Sequence, residues 1–225
     1  MLTVVPTPIG NLQDITLRAL QALRDADVVA AEDTRHSLVL LLHHNINKPL
    51  VSLHEHNEAS RAAALLEEIA GGKSVALVTD AGMPAISDPG FRLIRGCRDR
   101  GLPMTVLPGP SAVLTALVGS GFPSDSFFFG GFLPVKSGKR RIELERCAGR
   151  RATSIYFESP HRLLKTLTML DEIAPNAKVC VARELTKKFE EYRRGTAKEL
   201  LSYYQADRPR GEITLVILSS GETSE

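Results

Sequence analysis

The sequence predicts an α/β fold with two domains and mainly parallel sheets, and three observations support this prediction. The chain has 225 residues, which at about 150 residues per domain corresponds to one large or two small domains. Hydrophobic residues make up 43% and charged residues 24% of the chain, a composition that excludes a disordered or fibrous protein. Short β-branched runs alternate with stretches of helical periodicity, which favours parallel sheets covered by helices.

Each element is predicted from its own pattern, in chain order. Ten short β-branched or aliphatic runs are the candidate strands: 2–5, 27–31, 50–53, 74–79, 104–107, 127–129, 153–157, 178–182, 189–194 and 212–218. Seven stretches repeat apolar residues at i, i+3 and i+4 and are the candidate helices: 15–24, 58–70, 89–99, 110–118, 140–147, 162–173 and 197–204. The alternation stops at 130–138, where glycines and a proline interrupt any regular element. We therefore expect an N-terminal α/β domain at 1–120 and a C-terminal one at 121–225, with the boundary inside 115–135.

Composition also predicts the cellular compartment. The longest unbroken apolar run, 38–42, is far shorter than the ~20 residues that span a bilayer. The N-terminus lacks a basic segment and carries Pro6 and Pro8 where the apolar helix of a signal peptide would lie. Three cysteines without close spacing predict neither a disulfide framework nor a Cys-x-x-Cys metal site. We expect a cytoplasmic protein with reduced, buried cysteines and no membrane contact.

Charge is distributed unevenly along the chain. Residues 1–130 carry 10 basic and 13 acidic side chains, whereas residues 131–225 carry 18 basic and 13 acidic ones. Most of the excess lies in a basic stripe at 136–151, which contains Lys136, Lys139, Arg140, Arg141, Arg146, Arg150 and Arg151. Such a stripe is typical of surfaces that bind phosphate backbones, although a solvated helix face gives the same pattern.

Four loops rich in Gly, Pro and small polar residues each follow a predicted strand: 6–11, 80–90, 108–112 and 158–162. Open α/β sheets bind ligands at the carboxyl ends of their strands. Loops without bulky side chains leave backbone N–H and C=O groups free to hold a small ligand. The sequence therefore predicts a small-molecule site built from these loops.

Several familiar motifs are absent. No Gly-x-Gly-x-x-Gly follows a strand, 131–139 lacks the spacing and the Ser/Thr of a phosphate loop, and no Gly-x-Ser-x-Gly occurs. The only histidine cluster, His43, His44, His54 and His56, lacks the His-Glu-x-x-His spacing of a zinc site. We expect no metal site.

Five segments, in order, resemble motifs of the tetrapyrrole methylase superfamily: 7–20, 26–35, 78–90, 108–112 and 158–162. They look most like the branch that methylates the ribose 2′-oxygen of cytidine 1402 in 16S ribosomal RNA. Glu32-Asp33-Thr34-Arg35 is a feature of that branch. Family members usually continue beyond the last strand, so with the sequence ending at Glu225 we expect that extension to be absent.

The resemblance implies two α/β domains with S-adenosylmethionine bound in the cleft between them. An acidic loop at Asp80 suits a sulfonium cation, and Tyr156 and Phe157 are expected to cover the adenine or the sulfonium. The full set of expected donor contacts is Pro8, Asp80, Ala81, Gly82, Met83, Pro84, Ser87, Ser111, Ala112, Tyr156, Phe157, Ala182, Glu212, Ile213 and Thr214.

Methyl transfer to a ribose oxygen is an in-line displacement that needs a positioned base. The candidate bases are Glu184 and Asp33, followed by Glu158. Candidates to orient the target phosphate or to stabilise the developing alkoxide are Arg35, His161, Arg162, Arg183 and Lys187. Asp33 with Arg35 has the alternative interpretation of a structural ion pair.

The resemblance further implies that the partner is 16S ribosomal RNA in the 30S subunit. The basic stripe, with Lys187, Lys188, Arg193 and Arg194, is the expected RNA contact. A homodimer is expected, with 38–42 or 127–129 as interface candidates. Two other functions stay open: carbon methylation of a tetrapyrrole on the same fold, and RNA binding without catalysis.

Overall fold

The computed structural model describes residues 1–219, and the chain divides into two compact units. The first is Met1–Ser111 and the second begins at Ala112. Each unit contains one five-stranded sheet. All ten predicted strands and all seven predicted helices are present, with ends that differ by a few residues, so the predicted α/β class is confirmed.

The first unit alternates strands and helices throughout. Its elements are β1 (Leu2–Val4), α1 (Leu17–Asp25), β2 (Val28–Ala31), α2 (Thr34–His43), β3 (Leu50–Ser52), α3 (Glu58–Ala70), β4 (Val75–Leu77), α4 (Phe91–Asp99) and β5 (Met104–Val106). The strand order is β3-β2-β4-β1-β5, and every neighbouring pair is parallel. All four residues of β2 are buried, as expected for a parallel strand covered on both faces.

Two apolar clusters cover the two faces of this sheet. Val29 and Ala31 pack in one cluster with Leu23 of α1, whereas Val28 and Ala30 pack in the other with Leu65 of α3. Successive side chains of a strand point to opposite faces, which accounts for this division. Helix α1 begins where the Thr16 hydroxyl accepts a hydrogen bond from the Ala19 N–H at 3.1 Å.

Helix α4 has no side-chain cap of its own, and Glu58 of α3 supplies one. The Glu58 Oε1 atom accepts hydrogen bonds from the N–H groups of Gly90 and Arg92, each at 3.0 Å. Gly90 has a φ of 120°, and a Cβ there would lie 2.8 Å from the Leu77 side chain, so only glycine fits. Glu58 and Gly90 together fix where the long loop after β4 ends.

Replacing Glu58 with alanine should lower the free energy of unfolding of the first unit by about 1–2 kcal/mol, because two N–H groups at a helix start lose their acceptor. Urea unfolding followed by circular dichroism measures the change. The exposed neighbour Glu55 has no side-chain hydrogen bond among the described residues and provides the control Glu55→Ala. Equal midpoints for the two variants would contradict this role of Glu58.

The second unit begins with helix α5 and contains the remaining strands. Its elements are α5 (Ala112–Ser120), β6 (Phe127–Phe132), α6 (Ser137–Ala148), β7 (Thr153–Glu158), α7 (Leu163–Ile173), β8 (Lys178–Arg183), β9 (Glu191–Thr196), α8 (Ala197–Ala206) and β10 (Ile213–Leu218). The strand order is β6-β7-β10-β8-β9. One sheet face packs against α6, α7 and α8 in a cluster that includes Leu144, Leu167, Leu200 and Leu215.

The prediction of a mainly parallel sheet is wrong for this unit. Only β6 and β7 pair in parallel, whereas β10 is antiparallel to both β7 and β8, and β9 is antiparallel to β8. A helix between β7 and β8 keeps those two strands parallel, but it does not make them neighbours, and β10 lies between them. The short loop 184–190 between β8 and β9 holds no helix, so it can only form a hairpin.

Two further expectations about elements need correction. The segment 130–138 does not interrupt regular structure, because β6 continues through Gly130 and Gly131 by a change of register, and α6 already begins at Ser137. Helix α2 is not among the seven helices predicted from periodicity. Its run 38–42 is apolar all round, which hides the helical period.

Cys97, Cys147 and Cys180 are free and buried, as predicted. Within residues 1–219, no helix combines the length and the apolar character needed to cross a membrane.

Candidate active site

Four sequence motifs of the first unit lie at one edge of its sheet. Strands β4, β1 and β5 are adjacent and parallel, so the loops 80–90, 6–11 and 108–111 leave the sheet side by side. Strand β2 neighbours β4 and brings Glu32 and Asp33 to the same edge. The predicted clustering of these loops is therefore present within this unit.

Backbone hydrogen bonds join these loops. The Thr7 N–H donates to the Gly82 carbonyl at 2.9 Å, and the Gly82 N–H donates to the Thr7 carbonyl at 3.0 Å. The Thr7 hydroxyl donates to the Thr79 carbonyl at 3.0 Å, and the Asp33 N–H donates to Asp80 Oδ1 at 3.2 Å. Gly82 has a φ of 84°, which favours glycine at this crossing.

The expected donor contacts of the first unit all belong to these loops. Pro8, Gly82 and Pro84 are buried, whereas Ala81 and Ser87 are exposed. Asp80, Met83 and Ser111 are half-buried, as is Ala112, the first residue of the second unit. Ala85 and Ser87 have φ values of 67° and 66°, a strained conformation for residues other than glycine that is often found at functional sites.

Asp88 is a titratable group that the sequence analysis missed. Burial, together with the nearby carboxylates of Glu32 and Asp80, raises the pKa of Asp88 to about 6, although a hydrogen bond with Thr79 acts in the opposite direction. Glu32 is held nearby, because its Oε2 atom accepts a hydrogen bond from the Thr79 hydroxyl at 2.8 Å. The signal in the sequence was the set of acids that follow two neighbouring strands, Glu32 after β2 and Asp80 and Asp88 in the loop after β4.

Asp33 and Arg35 form an ion pair, which agrees with the alternative interpretation of these two residues. Its carboxylate caps α2 through the Arg35 N–H at 2.9 Å and accepts from Arg35 Nη2 at 2.7 Å. The hydrogen bonds from Arg35 hold the pKa of Asp33 far below its usual range. Although it forms this pair, the Arg35 side chain is 90% exposed. A carboxylate with so low a pKa is a poor proton acceptor.

In the second unit, strand register sorts the expected donor contacts onto two faces. Thr214 pairs with Phe157 on one side and with Ala182 on the other, so these three residues share a face. Tyr156 and Ile213 point to the opposite face and belong to the core under the helices. The Tyr156 side chain is fully buried, and its hydroxyl donates to Glu143 at 2.8 Å. The expectation that Tyr156 covers a ligand is therefore wrong for its side chain.

Glu184 is held in a clasp with Lys187 and Glu212. Its Oε1 atom accepts from Lys187 Nζ and from the Glu212 N–H, each at 3.0 Å, and Lys187 Nζ also reaches Glu212 Oε2 at 2.8 Å. Partial burial raises the pKa of Glu184, but these hydrogen bonds outweigh it and the net shift is downward. Glu184 was a candidate base and Lys187 a candidate to stabilise the alkoxide. Both side chains already have ionic partners within the protein, which disfavours these two roles.

Glu158 and Arg162 form a buried structural network. Glu158 Oε1 lies 2.7 Å from Arg162 Nη2, and Oε2 accepts from the Thr166 hydroxyl at 2.6 Å. Arg162 Nη1 donates to the Leu133 carbonyl at 3.0 Å. With a side chain that has no exposure, Glu158 cannot contact a substrate, so its place among the candidate bases is wrong. His161 in the same loop is exposed.

The remaining basic candidates divide into bound and exposed groups. Arg183 donates to Glu191 at 3.3 Å and to the Arg210 carbonyl at 3.3 Å. Within the basic stripe, Arg140 is buried and donates to Thr166 and Val135, so its assignment to an RNA surface is wrong. Arg150 stacks on the Phe128 ring at 3.7 Å and pairs with Glu143, whereas Lys136, Lys139 and Arg151 are exposed.

No group of three or more His, Cys, Asp or Glu residues within the described part of the chain is arranged to hold a metal ion. In particular, the carboxylates at the sheet edge do not form such a group.

Comparison with known proteins identifies a family and a set of relatives. Residues 1–201 match the family model for tetrapyrrole (corrin/porphyrin) methylases. A protein of Mesorhizobium japonicum named ribosomal RNA small subunit methyltransferase I is 50% identical over 218 residues, which cover 96% of this chain and 74% of that protein. A protein of the same name from Thermotoga maritima is 46% identical over 216 residues, which cover 96% of this chain and 97% of that protein.

Solved structures of tetrapyrrole methylases share this fold. Uroporphyrin-III C-methyltransferase from Thermus thermophilus superposes with a TM-score of 0.66 at 23% sequence identity. The match covers 96% of this chain and 93% of that one. At this identity the likeness concerns the fold alone.

Proposed function

Because the chain belongs to the tetrapyrrole (corrin/porphyrin) methylase family, we propose that it transfers a methyl group from S-adenosylmethionine to ribosomal RNA of the small subunit. The observation that carries the proposal is the gathering of the motif loops around Asp88 at one edge of the first sheet. Relatives of 45% identity or more that carry the rRNA methyltransferase name support RNA as the substrate class.

The residues at this edge suit the methyl donor. S-adenosylmethionine supplies an electrophilic methyl carbon on a positively charged sulfonium. Two acids, Glu32 and Asp80, complement a positive charge in a half-buried site. Gly82 has no side chain, and the side chains of Pro8 and Pro84 are buried. The backbone of these loops is therefore available for contacts with the donor. In the second unit, Phe157, Ala182 and Thr214 share one face of the sheet, and this face is the proposed contact with the methyl donor.

We assign Asp88 as the general base that accepts the proton of the ribose hydroxyl. A base is most effective when its pKa lies near the working pH, and Asp88 meets this condition better than the candidates from the sequence. Asp33 and Glu184 have lowered pKa values and are tied to Arg35 and Lys187. Glu32 contributes by raising the pKa of Asp88 through charge repulsion.

The finer proposal concerns the methylated atom. The motifs Thr7–Asn11 and Glu32–Arg35 support the 2′-oxygen of cytidine 1402 in 16S ribosomal RNA, presented by the assembled 30S subunit. A ribose oxygen at a structured centre must reach the base and the donor together, so the nucleotide is expected to leave its stack.

Transfer of labelled methyl groups tests the proposal. The protein is incubated with methyl-labelled S-adenosylmethionine and 30S subunits that lack the modification, and the RNA is then digested to nucleosides. Label in 2′-O-methylcytidine at position 1402 is expected. Label at another nucleotide would overturn the finer proposal only. Label on uroporphyrinogen, supplied in parallel, with none on RNA would instead favour tetrapyrrole methylation.

We also propose that the chain forms a homodimer. On α2, Leu38, Val39 and Leu42 expose 43%, 62% and 61% of their surface, an apolar face unusual for a free helix. The variant Val39→Glu/Leu42→Glu should therefore be a monomer by light scattering, since charges would be buried at the interface. Leu17→Glu, at an exposed leucine of α1, is the control and should stay dimeric. A monomeric wild-type protein would contradict the proposal.

A further inference from the structure

A pocket of about 320 Å³ lies within the second unit, where the β8–β9 hairpin meets the loop between α8 and β10. We refer to it as the arginine pocket. Its lining residues are Arg183, Glu184, Phe189, Glu191, Tyr203, Tyr204, Asp207, Arg208, Pro209, Arg210 and Gly211. Its volume is at the lower end of the range for small-molecule sites, which is large enough for one nucleotide.

The arginine pocket lies on the other face of the sheet from the residues that we assign to the methyl donor. Ala182 pairs with Tyr192, whose hydroxyl donates to the Thr115 carbonyl of α5, so Ala182 faces α5. Arg183 and Glu191 alternate to the opposite face, where Tyr203 and Tyr204 of α8 donate to the Glu191 carboxylate at 3.3 and 3.2 Å. Strand alternation thus separates the two sites.

The lining of the arginine pocket carries three arginines and three acids, and its ion pairs leave two of these arginines unpaired in the described part of the chain. Glu184 is paired with Lys187, and Glu191 is paired with Arg183 and Arg193. Within residues 1–219, Arg208 and Arg210 of the lining and the adjacent Lys188 are exposed and form no ion pair, and Asp207 is the only lining acid without one. The exposed cations of this region that form no ion pair among the described residues are thus Arg208, Arg210 and Lys188, against the exposed acids Asp207 and Glu190, which leaves a small excess of positive charge for an anionic ligand.

Aromatic side chains accompany these cations. Phe189 is 64% exposed at the hairpin tip, and Lys188 Nζ lies 5.6 Å from its ring centroid. Tyr203 is 38% exposed, and Arg193 stacks on its ring at 3.5 Å. An exposed phenylalanine beside free cations is an arrangement that proteins use to stack an unpaired base and to hold its phosphates.

We propose that the arginine pocket binds one unpaired nucleotide of the RNA substrate, outside the methylated residue. Its base would stack on Phe189 and its phosphates would contact Arg208 and Arg210. This inference rests on the proposed function, since it requires an RNA substrate. It gives the second unit a role in RNA docking that is separate from binding of the methyl donor.

Two variants test the role of the arginine pocket, with unmethylated 30S subunits as the probe. Phe189→Ala should weaken 30S binding by about 10-fold through lost stacking. Arg208→Ala/Arg210→Ala should weaken it as well and should reduce the slope of log K against log salt by about 1.4, because each contact to single-stranded RNA contributes about 0.7. Neither variant should change the Kd for S-adenosylmethionine by more than about 2-fold, since the two sites lie on opposite faces.

Matched controls come from the first unit. Phe91 is 60% exposed on α4 and provides Phe91→Ala, and the exposed Arg61 and Arg98, which form no ion pair among the described residues, provide Arg61→Ala/Arg98→Ala. A benzophenone amino acid at position 189 should crosslink to one 16S nucleotide other than the methylated one. Crosslinks confined to the methylated nucleotide would contradict the proposal.

Two results would overturn the proposal in different ways. If wild-type protein methylates 30S subunits and Phe189→Ala binds them as tightly as Phe91→Ala does, only the assignment of the arginine pocket is wrong. If wild-type protein binds S-adenosylmethionine but neither binds nor methylates 30S subunits, the proposed function itself fails, and the inference fails with it.

Discussion

Replacing Asp88 with asparagine should lower kcat by about 10²–10⁴-fold, the usual contribution of a general base. The substitution keeps the shape of the side chain but removes its ability to accept the proton of the ribose hydroxyl. The Kd for S-adenosylmethionine should change little, which calorimetry measures. A large rise in that Kd at unchanged kcat would mean that Asp88 binds the sulfonium instead.

The pH profile provides an independent readout of the same role. The pKa of Asp88 is raised to about 6, so the carboxyl is protonated below that pH and cannot act as a base. We expect wild-type kcat to rise with pH and to level off above about pH 7, and the Asp88→Asn variant to lose this rise. A profile that stays flat between pH 5 and 8 in the wild type, measured under conditions where methyl transfer is rate-limiting, would contradict the assignment.

The same substitution should stabilise the protein at neutral pH. The pKa of Asp88 in the folded protein lies above its ordinary value of about 3.8, so folding disfavours the ionised form. This cost is fully present at pH 8, decreases as pH falls below the folded pKa of about 6, and is gone below the unfolded value of about 3.8. After allowance for solvent screening, we expect Asp88→Asn to raise Tm by about 2–4 °C at pH 8 and by much less at pH 4.5. The exposed Asp14 gives the control Asp14→Asn, which should change neither kcat nor Tm.

Sequence patterns predicted the elements well because most of them carry an unambiguous local signal. The run Val28–Ala31 is fully apolar and forms a fully buried parallel strand, and the helix 58–70 matches its predicted bounds. The pairing of the second sheet was not predictable from periodicity. The same run of apolar residues at β10 suits either direction, and only tertiary packing inserts it between β7 and β8.

In the candidate site too, some features were predictable from local sequence and others depend on the tertiary fold. The loops at the carboxyl edge followed from their position after strands, and the structure brings those of the first unit together. The roles of individual carboxylates did not follow, because they depend on the neighbours that the fold places around each one. Glu158 is held by Arg162 and Thr166, whereas Asp88 lies beside Glu32, 56 positions earlier in the chain, which raises the pKa of Asp88.

Replacing Glu158 with alanine should lower the free energy of unfolding of the second unit by about 3–5 kcal/mol, the usual cost of breaking a buried ion pair. The substitution would leave the half-buried Arg162 without its carboxylate and the buried Thr166 hydroxyl without its acceptor. Arg140 donates to that same Thr166 hydroxyl at 3.2 Å, so the loss extends to the start of α6. A base in the active site would instead lower kcat and leave stability nearly unchanged.

The four tyrosines give a direct way to measure this loss. Tyr156, Tyr192, Tyr203 and Tyr204 all lie in the second unit, and the chain has no tryptophan, so intrinsic fluorescence reports on that unit alone. Urea unfolding of Glu158→Ala should show a large shift of the fluorescence midpoint. The double variant Glu158→Gln/Arg162→Met should lose less than the sum of the two single variants, because it removes both charges together. Additive losses would mean that the two side chains are not coupled, and would contradict the structural role of the Glu158–Arg162 ion pair.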